Sequence, residues 1–140
     1  MELSKQVTSL ELSRRLKELG FEQESLFYHS ANVGGMLSKE QFLAHDPFNQ
    51  EKLQDDGFRE AVDKTYSAYT VAELGEMLPE RIKINHEEKS FSIFREKINE
   101  TWDVAYSTNT DDDCGLWQQA NTEANARAKM LIYLKENKYV

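Results

Sequence analysis

The chain has 140 residues with 25 Asp and Glu against 17 Lys and Arg, a formal net charge of −8, and it is 39% apolar and 11% aromatic. That composition is too aromatic for a disordered chain, and its acidity disfavours direct contact with nucleic acid phosphates. One Cys excludes an internal disulfide framework and points to a reducing compartment. A chain of this length buries roughly two-thirds of the surface its unfolded form exposes, so one domain is expected. No apolar run approaches the ~20 residues that span a bilayer. The opening residues, MELSK, lack the basic patch and apolar stretch of a signal peptide. The expected setting is cytoplasmic, with no membrane partner.

The first element in the chain is a helix over roughly residues 9–19. Thr8-Ser9-Leu10-Glu11 reads as a capping box, the Thr8 hydroxyl accepting from the Glu11 N–H and the Glu11 carboxylate reaching back to the Thr8 N–H. Val7 and Leu12 then form a hydrophobic staple, and Leu12, Leu16 and Leu19 recur at helical spacing. Gly20 follows where a left-handed residue ends a helix, and Phe21 folds back toward Leu16. Ser25–His29 is short, aromatic and strand-like, running into a turn at Gly34-Gly35. From Ser38 to Asp63 the apolar residues have no clean period, and Asp46-Pro47 and Asp55-Asp56-Gly57 interrupt them; loops with one or two short helices are expected.

A second capping box, Thr70-Val71-Ala72-Glu73, with Tyr69 and Leu74 as its staple, starts a helix over 71–78 that Pro79 stops. The period then changes to two. Ile82 and Ile84 precede a polar turn at His86–Lys89, Phe91 and Ile93 follow, and Trp102, Val104 and Tyr106 alternate with smaller or polar residues. This predicts a three-stranded antiparallel meander over 81–108 with one buried face. After the acidic run Asp111–Asp113, a last helix over 122–136 carries Ala124, Ala128 and Leu131 in one row. The expected fold is α+β: a single domain in which a three-stranded antiparallel meander packs against an N-terminal and a C-terminal helix.

Three segments, LELSRRLKELGFEQESLFY (10–28), AYTVAELGEMLP (68–79) and EANARAKMLIY (123–133), resemble in order and type a group of small proteins encoded by tailed bacteriophages and prophages. Together they cover well under half of the chain; the segment from Ser38 to Lys64 and the Asp-rich loop have no counterpart. The group has no established activity, cofactor or catalytic residue to transfer. The resemblance implies a bacterial host cytoplasm and favours a protein of the host or the phage as partner.

No catalytic signature stands out: there is no phosphate-binding Gly-rich loop before a Lys, no HExxH and no paired CxxC. Asp111, Asp112 and Asp113 offer hard oxygens for Mg²⁺ or Ca²⁺, but they lack the alternating spacing and terminal Glu of a calcium loop, and a solvated acidic loop is the simpler reading. Glu87-Glu88-Lys89 holds the E-x-K fragment of metal-dependent nucleases, here placed at a turn and on a chain too acidic for phosphates. Cys114 follows three aspartates that suppress its thiolate. His29, His45 and His86 are far apart in sequence, and His29 reads as a partly buried strand residue. Trp117 sits among polar residues, either as an exposed anchor or packed beneath the last helix. No catalytic, metal or cofactor site is expected.

Charge carries the remaining signal. Residues 44–63 and 103–126 hold a local −4 and −5, so the rest of the chain is +1. Acidic loops on a packed scaffold attract a basic surface and steer association, and serve equally as solubility devices. The first functional expectation is therefore a non-enzymatic phage-type accessory protein binding a basic host or phage protein through Asp111, Asp112, Asp113 and Trp117, with counter-defence or DNA mimicry as its extreme form. The second is a small-molecule or nucleotide-binding protein or enzyme, with a pocket between the meander and the last helix. Arg127 and Lys129 are its only local cations and read more simply as the helix's solvent face. Homo-oligomers are compatible with either.

Overall fold

A computed structural model describes residues 2–30, 35–39, 64–96, 99–107 and 116–140. After a single 3₁₀ turn at Leu3–Lys5 come α1 (Leu10–Glu18), β1 (Phe27–Ser30), β2 (Gly35–Ser38), β3 (Thr65–Ser67) and α2 (Val71–Met77). Then follow β4 (Arg81–Ile84), β5 (Glu87–Glu96), β6 (Thr101–Ser107), β7 (Leu116–Ala120) and α3 (Glu123–Glu136). The fold is α+β. The expected loops and short helices between Ser38 and Asp63 lie almost wholly outside the described residues, and of the turn expected at Gly34-Gly35 only Gly35 is described, as the first residue of β2 opposite Ser30.

Two antiparallel sheets form, in strand orders β2-β1-β3 and β4-β5-β6-β7. The expectation of a three-stranded meander is corrected: Leu116–Ala120 pairs with β6 as a fourth strand, with Trp117 opposite Ala105 and Gln119 opposite Asp103. The small first sheet is a second departure, since only its β1 segment is strand-like in sequence.

Helix ends follow local chemistry. The Thr70 box forms as expected, Glu73 N–H donating to Thr70 Oγ1 while the Glu73 carboxylate accepts from the Thr70 N–H. Gly20, at φ +86°, closes α1 through the bonds Phe21 N–H to Leu16 O (3.1 Å) and Gly20 N–H to Lys17 O (3.0 Å). The first cap is corrected. Ser9, not Thr8, caps α1, its hydroxyl accepting from Leu12 N–H at 3.4 Å. With Ser9 as the cap, the staple positions fall on Thr8 and Ser13, whose hydroxyls bond each other at 2.7 Å in full burial.

The β4–β5 turn also differs. It is a two-residue turn at Asn85-His86, both at positive φ (51° and 69°), as a tight antiparallel hairpin requires. Glu87, Glu88 and Lys89 therefore lie on β5 and not in the turn.

The core joins Leu16 of α1, Leu74 and Leu78 at α2, Ile82, Val104 and Tyr106 from the larger sheet, and Ala124, Ala126, Ala128, Met130, Leu131 and Leu134 of α3. α3 lies on β6 and β7 and is flanked by α1 and α2. Its apolar residues accordingly surround much of its circumference, because it has packed neighbours on several sides. The alanines let it approach closely, each buried Cβ leaving no side chain to hold the backbones apart. No helix among the described residues is long and apolar enough to cross a membrane.

Candidate functional site

The larger sheet has two faces. Trp102, Val104 and Tyr106 turn to the helices, while Thr101, Asp103 and Ala105, with Trp117 and Gln119 across the β6–β7 ladder, turn away. Trp117 is 52% exposed on that outward face, so of its two readings the exposed one matches the geometry. Asp103 on the same face is 2% exposed. Gln119 donates its amide to Asp103 Oδ1 (3.0 Å) and to Thr101 Oγ1 (2.8 Å), whereas Asp103 Oδ2 has no partner among the described residues. Trp117 and Asp103 are diagonal neighbours across the ladder.

Of the other residues singled out in the sequence, Asp111, Asp112, Asp113, Cys114 and His45 lie outside the described residues. Two of the charges counted with the 103–126 stretch belong to packed groups: Asp103 is buried, and Glu123 accepts from Arg127 Nε (3.0 Å) and Nη2 (2.7 Å). His29 lies in β1, half-buried, with its Nε2 donating to the Thr8 carbonyl at 2.7 Å. His86 occupies the hairpin turn. The E-x-K residues are on a strand, with Lys89 Nζ 3.7 Å from Glu87. Lys89 shares the Ile82 side of the sheet whereas Asp103 is on the other, so a nuclease-type carboxylate does not stand beside them. Among the described residues no group of three or more His, Cys, Asp or Glu is placed to hold a metal ion.

The reading of Arg127 as a solvent-facing residue is corrected. Its side chain is 15% exposed, clamped by Glu123 and lying over the Phe91 ring at 5.4 Å. Lys129 is exposed and donates to Gln119 O at 3.0 Å. Neither residue lines the cleft at the end of the β5–β6 hairpin.

That cleft, about 720 Å³, opens where the end of the β5–β6 hairpin meets the start of α2 and the start of α3. Lys5, Val71, Arg95, Glu100, Trp102 and Glu123 are on its walls. The Arg95 guanidinium sits 5.9 Å from the Trp102 ring centre. Sequence reasoning missed Lys5 and Arg95 because 90 residues separate them and only the tertiary packing brings them to one opening. Two further grooves, of about 530 and 470 Å³, run along the α1–α3 seam and share Glu11, Leu12 and Lys129.

Comparison with known proteins returns no matching family model, no matching curated protein and no matching solved structure.

Proposed function

We propose that this chain is a non-enzymatic accessory protein of phage or prophage type that binds a basic protein of the host or the phage. The observation that carries the reading is Trp117, a large aromatic side chain 52% exposed on the outward face of an edge strand, four positions after Asp113 in the sequence. Aromatic anchors hold a formed interface through desolvated contact, and charge beside them accelerates encounter. An aromatic anchor that follows an acidic run closely in sequence suits a cationic partner. A DNA-mimicking inhibitor is the extreme form of the same reading.

The test is association kinetics against the partner recovered from infected or lysogenic cells, measured at several salt concentrations. Changing Asp111, Asp112 and Asp113 to Asn slows association and flattens its salt dependence, because screening reaches a Debye length of roughly 8 Å at physiological ionic strength. An unchanged rate and salt slope would reduce the run to a solubility device.

A further inference from the structure

We propose that the cleft between Lys5, Arg95 and Trp102 binds a small phosphorylated ligand carrying a planar ring, of which a nucleoside monophosphate is the simplest form. On a chain of net −8, this opening holds Lys5 and Arg95 against Glu100 and Glu123, and the Glu123 carboxylate is already taken by Arg127 at 2.7 Å. Lys5 and Arg95 have no ion-pair partner among the described residues. The local balance is therefore positive inside an acidic surface, which concentrates a compact anion there. Arg in particular presents a planar fork that matches phosphate oxygens.

The walls suit a planar ring. Trp102 is half-buried and rooted in the core, so its exposed part is a rigid surface, and the Arg95 guanidinium close to its ring adds a cationic plane. Val71 and Ala72 add apolar lining, while Gln6 and Asn121 add side-chain amides. A cleft of about 720 Å³ lies within the ~300–1,000 Å³ of small-ligand sites. The same charge balance limits the ligand. Two cations serve one phosphate, whereas a polyanion meets the chain's overall negative field. A free mononucleotide is thus favoured over a nucleic acid strand that offers the same base and phosphate.

This site is independent of the partner surface, since Trp102 and Trp117 lie on opposite faces of the sheet. The test uses the full chain in calorimetric titrations with AMP, GMP, CMP and UMP, inorganic phosphate and a single-stranded oligonucleotide, alongside ¹H–¹⁵N spectra of the two indole N–H groups. At least one mononucleotide is expected to bind saturably and to move the Trp102 signal, assigned with Trp102→Phe. Inorganic phosphate should bind about tenfold more weakly, and the oligonucleotide no more tightly than the mononucleotide. The double variant Lys5→Gln with Arg95→Gln should weaken binding about tenfold or more, with an unchanged melting temperature because both side chains are exposed. The proposal is overturned by no saturation up to about 10 mM nucleotide, or by equal affinity in the double variant. It is also overturned if phosphate alone binds as well as the nucleotide, or if the oligonucleotide binds more tightly.

Discussion

The hydroxyls of Thr8 and Ser13 bond each other at 2.7 Å, and both residues are fully buried. Thr8 Oγ1 also accepts from Tyr69 N–H (3.1 Å), while Thr8 N–H donates to Tyr69 O (2.9 Å). A residue placed by local pattern to cap a helix instead ties the start of α1 to the start of α2. Thr8→Ala leaves the Tyr69 N–H and the Ser13 hydroxyl without that partner in a dry site and should cost about 1–3 kcal/mol. Ser9→Ala removes only a long cap bond and should cost about 0.5 kcal/mol, the low end for an N-cap. Denaturant midpoints of the two variants check the order; equal losses contradict it.

Two positive-φ positions without glycine store correctable strain. His86, at φ 69°, occupies the second place of the β4–β5 turn, and Lys138, at φ 62°, ends α3, where Tyr139 N–H bonds Leu134 O at 2.8 Å. Glycine is the favoured residue at both sites. His86→Gly and Lys138→Gly should each stabilise by about 0.5–1 kcal/mol, the left-handed penalty for a side chain less the added freedom of the unfolded chain. Thermal melts of each variant measure it, and a lowered midpoint contradicts the assigned turn or cap.

Burial pushes the Tyr69 phenol up to about 12, and burial likewise raises that of Tyr106, whose hydroxyl donates to Pro79 O at 2.5 Å. A phenol whose folded pKa is raised contributes stability that is full below the unfolded value near 10 and is lost as pH climbs through the folded value. Stability with respect to these groups should therefore be level from neutral pH to about 10 and fall between about 10 and 12. Tyr69 and Tyr106 should resist ionisation in an ultraviolet phenolate titration until the chain unfolds. Ionisation of both near pH 10 in the folded chain would contradict their burial.

A Cβ at Gly75 of α2 would come 3.1 Å from Arg127 Nη1, while Glu123 and the Phe91 ring hold that guanidinium in place. Alanine gains about 1 kcal/mol over glycine in a helix interior, so the two effects oppose. Gly75→Ala should be near neutral in the parent chain and stabilise by about 1 kcal/mol in an Arg127→Ala background. A double-mutant cycle with no coupling between the positions rejects this packing.

What was legible in the sequence was what local chemistry decides. Thr70 with Glu73, Gly20 with Phe21, and the alternation of Trp102, Val104 and Tyr106 all read correctly because each signal lies within a few residues. Thr8 misled because Thr8 and Ser9 both qualify as caps, and the choice is made by a bond to Tyr69, 61 residues away. β7 was hidden because Gln118 and Gln119 blur its alternation, Gln119 being satisfied by Thr101 and Asp103 on the neighbouring strand. The Asn85-His86 turn was missed because histidine stands where glycine is the signal. Of the candidate surfaces, Trp117 stood out by its polar neighbours, whereas the Lys5–Arg95 opening exists only in the folded chain.

The proposed anchor is Trp117. Dissociation of the recovered partner from the parent chain and from Trp117→Ala, measured by surface-immobilised kinetics, tests it most directly. Dissociation from Trp117→Ala should be at least about tenfold faster, equivalent to about 1.4 kcal/mol, with little change in association rate. The fold should stay intact by circular dichroism, since the side chain is half-exposed on the face away from the core. A folded Trp117→Ala variant that releases the partner at the parent rate contradicts the claim.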